Sequence, residues 1–128
     1  MKIEVTFLTI MVLAGLFLAG CSKQQAVSET TGDILVGNTR EFTIEAKQWD
    51  FVPSTITVNQ GDLVRIKIKS IDVSHGFALP DFNVDKLLNP DEEVIVEFIA
   101  DKKGTFNFFC SVQCGLGHGG MRGQLIVR

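Results

Sequence analysis

The sequence has 128 residues and lacks the features of several protein classes. It has no Tyr, a single Trp and a formal net charge of −3, so it carries no excess of positive charge. Because proteins that bind nucleic acid usually carry a basic surface, this charge argues against nucleic acid as a partner. An internal repeat, a phosphate-binding loop and a stripe of basic and aromatic residues are also missing. What remains is a length suited to one domain, with ten Phe available for its core.

The chain also lacks an uncharged run long enough for a comfortable membrane-spanning helix, which needs roughly 20 residues. The run from Val5 to Gly20 is shorter and follows the basic residue Lys2, as in a secretion signal. It ends in Leu18-Ala19-Gly20-Cys21, which resembles the lipobox of bacterial lipoproteins. That motif implies cleavage before Cys21 and attachment of lipid to it. The alternative is an ordinary signal peptide with an incidental Cys.

We therefore expect three regions in the chain. Residues 1–20 form a cleaved lipoprotein-type signal peptide, residues 21–39 carry the lipid at Cys21 and form a flexible polar tether, and residues 40–128 form the folded domain. This order predicts a lipid-anchored protein in the periplasm or on the outer face of a bacterial cell membrane.

From Arg40 onward the hydrophobic pattern is that of β-strands. Phe42, Ile44 and Ala46 alternate with charged residues, and Val64, Ile66 and Ile68 do the same. Such alternation predicts strands with one buried face. Further strands are expected at residues 55–58, 93–100, 105–109 and 124–128, with a soft edge strand at 34–36 and one helical turn at 85–88. About six or seven short strands without a convincing helix predict an all-β sandwich.

Residues that bind soft metals are scarce in the chain and concentrated in one segment. After Cys21 the sequence has two Cys, two His and one Met, and all of these except His75 lie in residues 110–121. Thiolates, imidazoles and thioethers are the ligands that copper prefers. Glycines around His118 and Met121 allow a tight backbone path, so the ligands can converge on one site. For an exported Cys pair, a structural disulfide is the alternative.

Two thiolates this close do not suit a mononuclear blue-copper site, which uses one Cys, two His and a weak axial Met. Bridging thiolates can instead hold two copper ions, with one His terminal on each. Met121 would then be a weak axial ligand of one copper ion. A backbone carbonyl within the loop could serve the other copper ion.

The motif Cys-x3-Cys-Gly-x2-His-x2-Met, preceded by Asp72-Val73-Ser74-His75, closely resembles the copper-A (CuA) domain of cytochrome c oxidase subunit II. The similarity runs from about Phe42 to Arg128 and includes residues 46–51, 58–62 and 75–80. It implies a cupredoxin-type Greek-key β-sandwich. It also implies a mixed-valence dicopper centre that accepts electrons from cytochrome c or a similar donor.

The resemblance also implies a role for each candidate ligand. The implied roles are bridging thiolates at Cys110 and Cys114, terminal imidazoles at His75 and His118, an axial thioether at Met121, and a main-chain carbonyl at Val112. Met121 is implied to share its copper with His75. The family usually has Glu or Gln where this chain has Val112, but a carbonyl ligand does not depend on the side chain.

Subunit II normally carries two transmembrane helices ahead of its copper domain, and this chain offers only the signal and the lipid site. We therefore expect a free-standing electron carrier without a catalytic site of its own, with a terminal oxidase as candidate acceptor. The alternatives are a periplasmic copper carrier or assembly factor for a copper oxidase or nitrous-oxide reductase, and a thiol protein without metal.

Further residues are candidates for supporting roles. Trp49 is a candidate for electron input, and Asp72 is a candidate for orienting His75. The acidic residues 81, 85 and 91–93 are candidates for steering a basic donor.

Overall fold

The computed structural model describes residues 37–128. Its strands in chain order are β1 (Thr39–Lys47), β2 (Asp50–Val52), β3 (Thr55–Val58), β4 (Leu63–Ser70), β5 (His75–Leu79), β6 (Val84–Leu88), β7 (Glu93–Ile99), β8 (Gly104–Phe109) and β9 (Arg122–Val127). Single 3-10 turns occur at Pro80–Phe82 and His118–Gly120. Within residues 37–128, no helix is long and apolar enough to cross a membrane.

The strands form two sheets that enclose one hydrophobic core. The first sheet has the order β2-β1-β4-β7 and the second the order β3-β9-β8-β5-β6. β1 pairs with β4 and β3 pairs with β9 in parallel, whereas the hairpin pairs β5-β6 and β8-β9 are antiparallel. The chain passes through the other sheet between the two strands of each parallel pair, so these pairs are joined by crossover connections. This arrangement confirms the predicted all-β sandwich.

The core is built by the alternating residues that the sequence indicated. Ile44 of β1 and Ile66 and Ile68 of β4 are fully buried from one sheet, and Phe108 and Leu125 are fully buried from the other. Each such side chain contributes on the order of 1.5–3 kcal/mol when it leaves water. The buried inner faces of the two sheets therefore hold the sheets together.

Three aromatic rings close the core beneath the loop that follows β8. The centroid of Phe51 lies 5.6 Å from that of Phe77 and 5.4 Å from that of Phe108, both in edge-to-face contact. The Phe77 and Phe108 centroids are 5.0 Å apart. All three rings are at most 1% exposed. They belong to the same buried cluster as Cys110, Cys114 and Met121 and so form an apolar floor for the site.

The predicted helical turn at residues 85–88 is wrong, because this segment belongs to β6 and pairs with β5 in an antiparallel register. Val84 and Leu88 are its buried residues, and their spacing of four imitates one face of a helix. Hydrogen bonding to β5 overrides that local signal. The signal peptide, Cys21 and the edge strand predicted at 34–36 lie outside the described residues.

Candidate metal centre

The strand order brings the candidate ligands together at one end of the second sheet. His75 is the first residue of β5, Cys110 follows β8, and Met121 precedes β9. Because β8 lies between β5 and β9 in the sheet, these three residues are neighbours. The Cys110 N–H donates to the Met121 carbonyl at 3.0 Å, which closes the loop that carries Cys114 and His118.

The donor atoms of these residues face one another. The Sγ atoms of Cys110 and Cys114 are 3.6 Å apart, well beyond the roughly 2.05 Å of a disulfide bond. Both residues are free thiols. His75 Nδ1 lies 3.9 Å from Cys110 Sγ, and His118 Nδ1 lies 3.8 Å from Cys114 Sγ. Met121 Sδ lies 3.9 Å from Cys114 Sγ. The structure therefore brings His75, Cys110 and Cys114 together as one possible metal-binding group, with His118 and Met121 beside Cys114.

Most of these donors are shielded from water. His75 is fully buried and Met121, Cys110 and Cys114 are at most 6% exposed, whereas His118 is half-buried. Burial, with a further contribution from the Cys110 thiol, raises the pKa of the Cys114 thiol to about 11. Cys114 is therefore protonated at neutral pH, and a metal that binds it must displace the proton.

Asp72 orients His75, as the sequence suggested. Its Oδ1 atom lies 2.7 Å from His75 Nε2, which leaves Nδ1 pointing towards Cys110. Burial by itself would raise the pKa of Asp72, but hydrogen bonds from the Gln48 N–H and from His75 outweigh burial and lower it. Asp72 is therefore a carboxylate that can accept a proton from Nε2, and the tautomer of His75 with its proton on Nε2 has its Nδ1 lone pair free for a metal.

The main-chain carbonyl of Val112 also points into the site. The Cys110 thiol donates to it, with an Sγ–O distance of 3.0 Å. Val112 itself is half-buried. The resemblance to subunit II implies a ligand at this carbonyl, and that role stays a prediction. Whether Met121 shares a copper with His75 stays a prediction.

Gln48 is a residue of this site to which the sequence pattern gave no role. Its side-chain Nε2 donates to the Cys114 carbonyl at 2.6 Å, and its backbone N–H donates to Asp72 Oδ2 at 2.7 Å. It thereby joins the group that orients His75 to the loop that carries Cys114. The available signal was its position inside residues 46–51, which contribute to the resemblance.

Trp49 covers the outer side of the loop. A side chain at Gly117 would overlap the indole ring, so glycine is required there by close approach. Gly115, two residues earlier, has a φ of 128°, in the region that favours glycine, and also lies against the indole. The indole is 39% exposed. It therefore lies between solvent and the candidate metal ligands.

The acidic residues named as steering groups are exposed at residues 81, 85 and 91–93. Asp85 accepts a hydrogen bond of 2.7 Å from the Ser111 hydroxyl, directly beside Cys110. Both groups are exposed, so this hydrogen bond contributes little to holding the loop.

The donor set fits copper. It combines two thiols, two imidazole nitrogens that face those thiols, one thioether and one carbonyl, in a site floored by aromatic rings. Soft donors of this kind select copper among the common metals, while a thioether is unusual for zinc. Because the Cys pair is reduced, both thiols are available as ligands, and each sulfur has an imidazole beside it.

The fold and the paired-Cys loop define a copper protein of the cupredoxin class. The chain belongs to the family of cupredoxin-like domains, whose model matches residues 9–127. Cytochrome c oxidase subunit 2 of Thermus thermophilus is 35% identical over 78 residues, covering 61% of this chain and 58% of that protein. Nitrous-oxide reductase of Cupriavidus necator is 38% identical over 74 residues, covering 55% of this chain and 12% of the reductase. The chain therefore spans little more than half of the subunit and a small part of the reductase.

Solved structures show the same relationship. A chain of a heme-copper terminal oxidase dimer superposes with a TM-score of 0.68 at 28% identity, covering 71% of this chain and 65% of that chain. The periplasmic domain of cytochrome oxidase subunit II from Bradyrhizobium japonicum has the same fold, with a TM-score of 0.64 at 23% identity over 73% of this chain and 87% of that domain. The predicted relationship to the subunit II copper domain is confirmed.

Proposed function

We propose that the domain binds two copper ions in a dinuclear copper-A centre and transfers electrons through it. The observation that carries this proposal is the pair of thiols 3.6 Å apart, with one imidazole Nδ1 within 3.9 Å of each pair member. Two sulfurs that face each other between two imidazoles favour two bridged ions over a single ion. The relationship to oxidase subunit II supports the same conclusion.

The residues of the chain have distinct roles in this proposal. Cys110 and Cys114 would be the bridging thiolates of the two copper ions. His75 and His118 would each be the terminal imidazole of one ion, and Met121 and the Val112 carbonyl would be weak axial ligands. The bound copper pair would supply a one-electron redox centre. The aromatic floor and Asp72 hold the ligands in fixed positions, so that little rearrangement accompanies a change of charge. The half-buried His118 and the exposed Trp49 connect this site to the surface.

We also propose a setting for the protein. A signal at residues 1–20, lipid on Cys21 and a tether at 21–39 would hold the domain in the periplasm or at the outer face of a bacterial cell membrane. Cytochrome c or a similar protein is the proposed donor, and a terminal oxidase the proposed acceptor. The similarity to a periplasmic subunit II domain supports this setting. We propose no catalytic site within the chain.

Metal analysis tests the proposal directly. The purified domain, reconstituted with copper, should contain two copper ions per chain. Its electron paramagnetic resonance spectrum should show one unpaired electron shared by two copper nuclei, because bridging thiolates delocalise the electron. A single copper nucleus, or one zinc ion bound in preference to copper, would contradict the dinuclear centre.

Copper delivery to another protein is the alternative function. It predicts rapid transfer of copper to an apo-oxidase and no electron exchange with cytochrome c. The burial of His75, Cys110, Cys114 and Met121 favours retention of copper instead. Electron transfer is therefore the function that the site supports better.

Trp49 is the proposed point of electron input, because its exposed indole lies against the loop. Trp49→Leu should slow reduction by cytochrome c about tenfold, which corresponds to about 1.4 kcal/mol and is typical of losing an aromatic contact at an interface. Stopped-flow reduction of the copper-loaded protein measures the effect. Trp49→Phe keeps a ring beside Gly117 and should retain most of the rate. Equal rates in the Trp49→Leu variant and the unaltered protein would exclude this role.

A further inference from the structure

A groove opens beside the candidate metal centre, on the outer face of β8 and β9. Its volume is about 580 Å³, many times the roughly 10–15 Å³ of cavity volume that holds one water molecule. Three candidate ligands line it, namely Cys110, His118 and Met121. The space is much larger than bound copper ions need, so it is an approach to the site as well as part of it.

Contacts cover several other parts of the loop. Trp49 lies against Gly117, and the Gln48 amide is bonded to the Cys114 carbonyl. On the side of β5, Ser111 lies directly on Gly76, where an added side chain would overlap its hydroxyl. The buried Phe rings close the floor. Among the side-chain ligands, the half-buried His118 is more accessible than the others, and it lines the groove.

We propose that this groove is the route by which copper reaches the buried thiols, with His118 as the first ligand on the path. The inference rests on the proposed copper function and adds how the site is filled. Cu(I) would exchange its carrier's donors for those of the protein without a change in oxidation state. The thiol protons of Cys110 and Cys114 would pass to solvent.

The charge at the groove indicates the kind of copper carrier that fits it. Arg122 lines the groove, is exposed, and donates to the Gly119 carbonyl at the same loop. A guanidinium keeps its positive charge at every physiological pH. It therefore repels a bare copper cation and attracts an anionic complex of Cu(I), such as one held by the thiolates of a carrier.

Asn107 allows a direct test, because it lines the groove from β8 and is exposed. Asn107→Trp should fill the groove and slow copper uptake several-fold, without changing the final copper content. The experiment mixes the reduced, metal-free full chain with Cu(I) bound to bicinchoninate, an anionic chelator, and follows the loss of the chelate's colour. Thr105→Trp is the matched control, since Thr105 is exposed on the same face of β8 but does not line the groove.

Further variants keep the test decisive. Phe109→Ala should widen the groove and speed copper uptake, the opposite of the effect expected for Asn107→Trp. The test therefore does not depend on one variant being folded. Arg122→Gln should slow uptake from the anionic chelate but not from the cationic acetonitrile complex of Cu(I), whereas Arg122→Lys should behave as the unaltered protein. Uptake at equal rates in the Asn107→Trp, Phe109→Ala and unaltered proteins overturns the route. Failure of the unaltered protein to bind two copper ions instead overturns the proposed function.

Discussion

Replacing Cys110 with serine should lower the copper content from two ions to at most one and remove the spectrum of an electron shared by two nuclei. The Cys110 sulfur lies 3.6 Å from the Cys114 sulfur and 3.9 Å from His75 Nδ1, so it is central to the ligand set. A serine hydroxyl stays protonated near neutral pH and is a poor donor for copper. Without one bridge, the remaining thiol cannot hold two ions together.

The neighbouring residue supplies the control for this change. Ser111 directs its hydroxyl to Asp85 and away from the ligands. Ser111→Ala should therefore bind two copper ions with an unchanged spectrum, and atomic absorption with electron paramagnetic resonance compares the variants. Thermal unfolding of the metal-free proteins checks that each variant is folded. Two copper ions with an unaltered spectrum in the Cys110→Ser variant would rule out bridging by this thiol.

Strands of four or more residues that alternate buried and exposed side chains could be predicted from the sequence, whereas β2, β5 and β6 were not. β1 and β4 alternate buried and exposed side chains along much of their length, so their periodicity is visible. Every residue of β5 is buried, which leaves no alternation to read. β6 has two buried residues at helical spacing and was mistaken for a turn of helix. β2 has only three residues, and tertiary contacts that the local pattern does not encode decide which residues of β5 and β6 are buried.

The candidate ligands were accessible to sequence reasoning because they are rare residues at short spacing. Asp72 was accessible because it lies only three positions before His75. Gln48 was not, because its amide reaches a carbonyl 66 positions further along the chain. The groove was hidden as well, because its walls come from two paired strands whose register is known only from the fold. Local chemistry identified the ligands, and the fold supplied what surrounds them.

Gln48→Leu should weaken copper binding by about 10–100-fold, the usual consequence of losing a group that supports metal ligands. Leucine fills similar space but leaves the Cys114 carbonyl without its 2.6 Å hydrogen bond. The backbone N–H of residue 48 can still donate to Asp72, so the change isolates the side-chain contact. Because the loop is then free to shift relative to His75, the copper hyperfine couplings and the reduction potential should change together with the affinity.

Competition with a Cu(I) chelator measures the affinity of the Gln48→Leu variant, and paramagnetic resonance with redox titration measures its electronic state. Gln113→Leu is the matched control, because the Gln113 amide donates at 3.3 Å to Gly115 in the same loop but is exposed. An exposed hydrogen bond of this length contributes little, so this variant should keep the affinity and potential of the unaltered protein. If the two variants behave alike, Gln48 does not position the ligands. If only the Gln48 variant changes, the ligand loop depends on a residue in the turn between β1 and β2, and that turn is part of the metal centre.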